Sequence, residues 1–259
     1  MGSISIAKNL ASVLDQIEAV SMAAGCSAMP RLVAVSKTKS VEKIIEAYEC
    51  GQRHFGENYI QELTSKVSDT TICSMCPDIR WHFIGKIQSN KVSKLLSVPD
   101  LFMIETVDSK KLACLINSAR ERRLHLDDNK SITDRLNVLV QVNTSMEDQK
   151  GGVMPNEAES LANLILNECP YLKFAGFMTI GSLDNSHGAN RTKTEKENPE
   201  FVLLRTLRNR FVASRPDIFH DETEIELSMG MSADYQDAIR SGATNVRVGS
   251  TIFGAREYK

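Results

Sequence analysis

The chain has 259 residues, of which 42% are hydrophobic and 25% charged, and this composition is typical of a globular protein with a sizeable core. Its formal net charge of -2 provides no basic field for binding nucleic acid or an anionic membrane surface. No apolar run reaches the roughly eighteen residues that a membrane-spanning helix needs, and the N-terminus does not resemble a secretory signal.

The six cysteines are scattered along the chain, and only Cys73 and Cys76 have the spacing of a metal or redox pair. No second pair of cysteines or histidines with ligand spacing follows them, so the sequence predicts no metal site. Free thiols are typical of a reducing compartment. We therefore expect a cytoplasmic protein, with a mitochondrial pool as a further possibility.

Eight short apolar segments in chain order predict eight strands. The first ends on Lys37 and covers residues 31–37. The other seven are predicted at residues 54–58, 80–85, 101–107, 136–143, 174–180, 224–228 and 245–249.

Amphipathic segments alternate with these strands and predict helices. One helix precedes the first strand at residues 4–24, and one follows each of the first seven strands in turn, at residues 40–50, 59–67, 89–96, 109–122, 156–167, 199–212 and 233–240. Two long polar loops remain, at residues 68–79 and 182–198.

This alternation predicts parallel strands joined by right-handed crossovers, and eight units favour closure into a (β/α)₈ TIM barrel with an extra N-terminal helix. A doubly wound open sheet is the alternative. It would require a glycine-rich Gly-x-Gly-x-x-Gly turn after the first strand, where the chain has Ser36 to Lys39 instead. We expect residues 1–259 to form a single domain.

Lys37 lies at the C-terminal end of the first predicted strand. Alternation places Val33, Val35 and Lys37 on one face, so the lysine is directed to the space above the sheet. In a partly dry site the neutral amine is favoured over the ammonium, and the neutral amine is a nucleophile. A lysine that extends to water is the alternative that this position alone leaves open.

The loops after strands seven and eight carry small and hydroxyl residues, with Ser228 and Gly230 in the first and Gly249 and Ser250 in the second. Phosphate often binds in these two loops of a (β/α)₈ TIM barrel, because backbone N–H groups and hydroxyls there approach an anion closely. Closure of the barrel places strand eight beside strand one. These loops are therefore expected next to Lys37.

Arg247 shares the inward face of strand eight with Asn245 and Gly249, by alternation. An unpaired buried guanidinium is costly, so it requires a partner. Glu226 on strand seven is an available carboxylate. An acceptor atom of a bound ligand is the functional alternative.

A strand-end lysine, phosphate-binding loops and an inward polar residue together suggest pyridoxal 5′-phosphate (PLP) held as a Schiff base. Five motifs, in family order and spread over the whole chain, resemble the pyridoxal phosphate homeostasis protein family, single-domain relatives of the alanine racemase barrel. The motifs are VSKT at 35–38, FGENY at 55–59, WHFIG at 81–85 with QSNK at 88–91, LSMGMS at 227–232 and VRVG at 246–249.

The resemblance implies a fold type III PLP barrel in which Lys37 forms the Schiff base. It further implies that Asn58 lies near the cofactor ring and that Arg247 faces the pyridine nitrogen. The positions that match phosphate-binding residues of the family are Ser228, Gly249 and Ser250, where the hydroxyl of Ser250 replaces the more usual threonine.

The implied function is storage, buffering or delivery of PLP in intracellular vitamin B6 homeostasis, without robust catalysis and with no catalytic residue. PLP-dependent apoenzymes are the expected recipients, and a monomer or weak homodimer is expected. An arginine at the ring nitrogen leaves that nitrogen unprotonated, which makes the ring a poorer electron sink.

Two catalytic alternatives remain open. The first is a low-activity PLP-dependent amino-acid racemase with Tyr59 or His82 as its second acid or base. Related racemases take a catalytic tyrosine from a second domain of a partner subunit, and this chain is expected to lack that domain. The second is an aldolase that uses Lys37 directly on a sugar phosphate.

Overall fold

A computed structural model describes residues 5–126, 134–147, 149–182 and 197–255, and it confirms the predicted barrel. Eight parallel strands pair in chain order and close between the last strand and the first. They are β1 Arg31–Val35, β2 His54–Glu57, β3 Arg80–Phe83, β4 Leu101–Val107, β5 Leu136–Gln141, β6 Leu172–Met178, β7 Glu226–Ser228 and β8 Asn245–Val248. At the closing seam Val33 of β1 lies opposite Arg247 of β8.

Ten α-helices are present among the described residues. They are α1 Ile6–Ala24, α2 Val41–Glu49, α3 Ile60–Val67, α4 Thr70–Met75, α5 Val92–Leu96, α6 Lys110–His125, α7 Ala158–Glu168, α8 Pro199–Ser214, α9 Tyr235–Arg240 and α10 Ser250–Phe253. The first ends at Gly25, whose left-handed φ of 67° allows its N–H to reach the last carbonyls of the helix.

Apart from shifts of one to three residues at the ends of other strands and helices, the structure differs from the predicted elements at three places. Residues 70–75, predicted as loop, form α4 because the Asp69 carboxylate accepts from the N–H groups of Thr71 and Ile72 and caps a helix that buries Ile72. Strand β7 begins two residues later than predicted, because Glu222–Glu224 form a capped 3₁₀ turn. Helix α10 was not predicted. Of the predicted loop at 182–198, residues 183–196 lie outside the described residues.

Two apolar clusters hold the barrel together. The larger one lies between the strands and the helices and includes Leu32, Ala34, Val246 and Val248 from the seam strands. The smaller one is a separate group formed by Met103, Leu139, Ala175 and Met178. Alternate residues of each strand point to opposite faces. The strand residues that alternate with those of the larger cluster therefore point inward and fill the barrel interior.

Helix α1 packs on the outside of the barrel near the closing seam. Its Asn9 side chain donates to the Ile252 backbone carbonyl at 3.1 Å, and the side-chain Oε1 of its Gln16 accepts from the Tyr235 hydroxyl at 2.5 Å. The extra N-terminal helix therefore supports the elements that follow β7 and β8, which form one wall of the candidate site.

We expect Gly176→Ala to destabilise the barrel strongly. Gly176 has a φ of 148°, and an added Cβ would lie 2.0 Å from the Glu226 carbonyl oxygen, so β6 and β7 would have to separate. The expected loss in the free energy of unfolding is about 3 kcal/mol or more. Urea unfolding of the wild-type protein and of Gly176→Ala measures this difference in the free energy of unfolding.

Gly25→Ala is the matched control, since Gly25 also has a positive φ but has no atom within 4 Å of the added Cβ. Its loss should be limited to the backbone strain of about 1–2 kcal/mol. Equal losses for the two variants would show that the contact between β6 and β7 is not the cause.

Candidate functional site

A cavity of about 360 Å³ opens at the C-terminal end of the barrel strands. This volume and position are typical of ligand sites in barrel proteins. We call it the main cavity. Its polar and charged lining residues are Lys37, Lys39, Asn58, Ser232, Arg247 and Ser250.

Lys37 lies two residues beyond β1 and lines the main cavity together with Val35, as strand alternation predicts. It is half-buried and sits in a tight turn in which the Lys39 N–H donates to the Ser36 carbonyl at 3.0 Å. The following residue, Thr38, has a φ of 62°. Left-handed backbone is rare for a β-branched residue, so this turn is strained.

The loops after β7 and β8 meet at one corner of the main cavity. The Gly249 N–H donates to the Ser232 hydroxyl at 3.1 Å, and both residues line the cavity beside Ser250. A Cβ on Gly249 would come within 3.1 Å of the Val35 carbonyl oxygen, so this backbone lies close against β1. The two loops and Lys37 are therefore neighbours, as predicted from barrel closure. We call Ser232, Gly249 and Ser250 the seam corner.

Ser228, predicted as a phosphate-binding residue, does not line the main cavity. It is fully buried, its hydroxyl donates to Glu105 Oε2 at 2.5 Å, and that same hydroxyl accepts from Arg247 at 2.6 Å. Ser232, four residues later, occupies the cavity wall instead. The signal for it was present in the second serine of the LSMGMS motif, which lies beyond the strand end.

Arg247 points into the barrel, as predicted, and forms part of the cavity lining. One terminal nitrogen of its guanidinium donates to the Ser228 hydroxyl, and the other donates to the Thr179 carbonyl at 2.8 Å. The Glu105 carboxylate lies 4.0 Å away.

Glu226, which the sequence offered as an available carboxylate for Arg247, instead forms a salt bridge with Arg31 at 2.6 Å. Glu226 is the first residue of β7 and lies toward the N-terminal end of the barrel, whereas Arg247 lies further along β8 and faces the cavity. Glu226 is therefore not the carboxylate that meets Arg247.

Glu105 of β4 was not anticipated, yet it is the centre of the interior hydrogen bonding. Its carboxylate also accepts from His82 Nδ1 at 2.6 Å and from Asn245 at 3.2 Å, and His54 Nδ1 lies 2.8 Å from the other ring nitrogen of His82. We call this connected set the barrel axis: His54, His82, Glu105, Ser228 and Arg247.

The barrel axis holds Glu105 ionised. Burial alone would raise the pKa of this carboxyl, but the contacts with His82, Arg247 and Ser228 outweigh burial and lower the pKa to about 2. Burial, together with the nearby His82, lowers the pKa of His54 to about 3, so His54 is neutral at ordinary pH. The buried Glu105 carboxylate therefore balances the guanidinium at the floor of the cavity, with the buried Asp234 as a further negative charge acting on it.

Asn58 lies at the end of β2 and lines the main cavity. Its Oδ1 atom is buried and has no hydrogen-bond partner among the described residues. A Cβ on Gly85 would lie 1.9 Å from the Asn58 carbonyl oxygen, so only glycine allows this close backbone approach. An unpaired buried acceptor at the wall of a cavity is the arrangement expected where a ligand supplies the donor.

A second, shallower cleft of about 270 Å³ shares the Asn58 wall. It is lined by Tyr59, Lys86 and Lys91, among others, and contains part of the QSNK motif. Tyr59, one of the two acid or base candidates for a racemase, lines this cleft and not the main cavity. The other candidate, His82, is fully buried in the barrel axis with both ring nitrogens engaged.

Neither metal ligands nor membrane spans are found among residues 5–126, 134–147, 149–182 and 197–255. No group of three or more His, Cys, Asp or Glu side chains is arranged to hold a metal ion. No helix in these ranges has the length and apolar character required to cross a membrane. Cys73 is exposed and Cys76 is buried, and both are free thiols.

Known families, proteins and solved structures match this chain over most of its length. The family described as alanine racemase, N-terminal domain, matches residues 9–257. The human pyridoxal phosphate homeostasis protein is 51% identical over 231 residues, which are 88% of this chain and 78% of that protein. The protein of the same name from Caenorhabditis elegans is 47% identical over 254 residues, 98% of this chain and 97% of that one. The structure of PipY from Synechococcus elongatus with PLP bound is 29% identical with a TM-score of 0.74, covering 96% of this chain and all of PipY.

We expect Glu105→Gln to lower the free energy of unfolding by about 3 kcal/mol at neutral pH, because it removes the larger of the two counter-charges that act on the buried Arg247 guanidinium. A carboxyl whose pKa is lowered contributes stability that is complete above its ordinary pKa of 4.5 and is lost as the pH falls towards about 2. The difference between wild type and variant should therefore shrink over that interval. Urea unfolding at a series of pH values measures it.

Glu226→Gln is the control, because the Arg31–Glu226 pair is partly exposed and should contribute about 1 kcal/mol or less. A difference for Glu105→Gln that stays constant from neutral to acid pH would contradict an ionised Glu105.

Proposed function

The chain belongs to the pyridoxal phosphate homeostasis protein family, within the wider family of alanine racemase N-terminal domains, and from this premise we propose that it binds PLP in the main cavity and stores or delivers it. The observation that carries this proposal is that Lys37 and the seam corner line one cavity. A cofactor with an aldehyde at one end and a phosphate at another needs an amine and an anion site within one molecule's length of each other.

The residues of the main cavity fit PLP group by group. Bound PLP supplies an aldehyde, which condenses with a neutral primary amine and releases water, and a ring that withdraws electrons. Lys37 supplies the amine. The unpaired Oδ1 of Asn58 would accept a hydrogen bond from a hydroxyl on the ring. The seam corner, Ser232, Gly249 and Ser250, would hold the phosphate with hydroxyls and backbone N–H groups.

Arg247 would donate a hydrogen bond to the ring nitrogen. A guanidinium has no acceptor atom, so the nitrogen that it faces stays unprotonated. An unprotonated ring stabilises a neighbouring carbanion poorly, and this favours holding the cofactor over turning over amino acids. The barrel axis supports the role, since it holds the guanidinium charged and fixed below the cavity.

The racemase alternative finds no support in the positions of its two candidate residues. His82 is enclosed in the barrel axis, and Tyr59 lines the neighbouring cleft. We therefore propose that the protein binds PLP and passes it on to PLP-dependent apoenzymes. These enzymes would receive the cofactor from the open face of the barrel.

We expect borohydride reduction of the wild-type protein loaded with PLP to leave one phosphopyridoxyl group on Lys37. Intact mass measurement and peptide mapping locate it. Lys37→Ala should carry no adduct, because it lacks the amine. Lys91→Ala is the control: it removes a lysine from the same face of the barrel but outside the main cavity, and its adduct should equal that of wild type. A colourless wild-type protein that acquires no adduct would contradict the proposal.

We expect Ser232→Ala to weaken PLP binding roughly tenfold, by the loss of one hydrogen bond to a charged group. Binding of pyridoxal, which lacks the phosphate, should change little. Fluorescence titration with both ligands gives the ratio of their dissociation constants, and this ratio isolates the phosphate contact.

Ser228→Ala is the comparison that separates the two serines. Its hydroxyl is enclosed by Glu105 and Arg247, so any loss of affinity should affect PLP and pyridoxal alike. If Ser228→Ala changed the ratio and Ser232→Ala left it unchanged, the assignment made from sequence would hold instead of this one.

A further inference from the structure

A buried ion network contacts the residues on either side of Lys37. It consists of Glu57 at the end of β2 and of Glu62 and Lys66 on α3. Lys66 and Glu57 are almost completely buried, with 6% and 0% of their side chains exposed. None of the three lines the main cavity, so the proposed cofactor contacts leave the network unexplained.

Lys66 is the centre of this network. Its ammonium donates to Glu57 Oε1 at 2.7 Å, to Glu62 Oε1 at 2.6 Å and to the Ser36 carbonyl at 2.8 Å. The same Glu57 oxygen accepts from the Ser36 hydroxyl at 2.6 Å. Burial raises the pKa of Glu57, and the contacts with Lys66 and Ser36 act against that rise. Two of the bonds therefore end on the residue immediately before Lys37.

Glu62 holds the residue immediately after Lys37. Its Oε1 atom accepts from the Thr38 N–H at 2.6 Å. Thr38 is the residue with the left-handed φ of 62°, a conformation that its β-branched side chain disfavours. A strained residue persists only where its surroundings determine its conformation, and this bond is the contact that does so.

The far end of the turn is tied to the neighbouring part of the cavity wall, which follows β8. The buried Lys39 ammonium donates to the carbonyls of Gly254 at 3.1 Å and Ala255 at 2.7 Å, just after α10. Residues 36, 38 and 39 are thus each held by a group outside the turn, and Lys37 between them lines the main cavity. Free movement of this backbone would displace the amine.

We propose that Lys66 and Glu62 are positioning residues for Lys37: they hold the backbone on either side of it so that its amine meets the aldehyde of PLP. This inference rests on the proposed function. It predicts a defect in the covalent step that is separable from the binding of the ring and the phosphate.

The experiment compares two ligands on the full-length protein after removal of PLP. The first is PLP, for which the rate of covalent attachment is followed by the visible spectrum and by adduct mass after borohydride quenching. The second is pyridoxine 5′-phosphate, which has an alcohol in place of the aldehyde and therefore binds without covalent attachment. Its dissociation constant reports the cavity alone.

The variants form matched pairs. Glu62→Leu removes the acceptor for the Thr38 N–H, and Glu62→Gln retains an oxygen there. Lys66→Met removes the ammonium, and Lys66→Arg retains a cation with several donors. Arg31→Met breaks a partly buried ion pair at the other end of the barrel and controls for a general loss of stability. Because Glu62 is partly exposed, its variants test the inference even if Lys66→Met does not fold.

We expect attachment of PLP to slow by roughly 10- to 100-fold in Glu62→Leu and Lys66→Met, since small displacements of a reacting group have effects of this order. Glu62→Gln, Lys66→Arg and Arg31→Met should remain near the wild-type rate, and all variants should bind pyridoxine 5′-phosphate with the wild-type affinity. Unchanged attachment in Glu62→Leu would overturn the inference. So would a parallel loss of pyridoxine 5′-phosphate binding, which would indicate a structural role. A wild-type protein that attaches no PLP would contradict the proposed function itself.

Discussion

The candidate site depends on the chain of buried hydrogen bonds that runs through the barrel from His54 to Arg247. The interior of a (β/α)₈ barrel is ordinarily filled by branched apolar side chains. A guanidinium in that interior is costly unless a carboxylate and further acceptors meet it. Glu105, Ser228 and the Thr179 carbonyl do so, and each of them is itself buried. The orientation of Arg247 is consequently set before any ligand arrives.

The closing seam of the barrel organises the rest of the site. Lys37 follows β1, the seam corner follows β7 and β8, and Arg247 lies on β8 directly opposite Val33. Lys39 joins the two sides by hydrogen bonds from the β1 loop to the chain after α10. These cavity-lining groups thus lie on or directly after three neighbouring strands, β7, β8 and β1, where backbone pairing fixes their separation. Preorganisation of this kind reduces the entropy that binding must overcome.

The parts of the site that could be predicted from sequence are those that depend on local order. Strand alternation was sufficient to direct Lys37 and Arg247 inward, and the count of eight strand–helix units was sufficient for the barrel. The partner of Arg247 could not be found in this way. Glu226 was chosen because it lies on the adjacent strand, yet it pairs with Arg31 at the other end of the barrel. Glu105 reaches Arg247 from β4, across the interior, and no local pattern shows which side chains meet across a closed barrel.

The barrel axis also bears on whether the site holds a cofactor or uses it. A racemase requires a second acid or base that faces the lysine across the bound ligand. His82 was the histidine considered for this role, but one of its ring nitrogens is hydrogen-bonded to Glu105 and the other to His54. To exchange protons at the cavity it would have to leave the carboxylate that balances Arg247. The interaction that fixes the arginine therefore also holds His82 away from the cavity, and both effects fit the proposal of a PLP-binding protein better than that of a racemase.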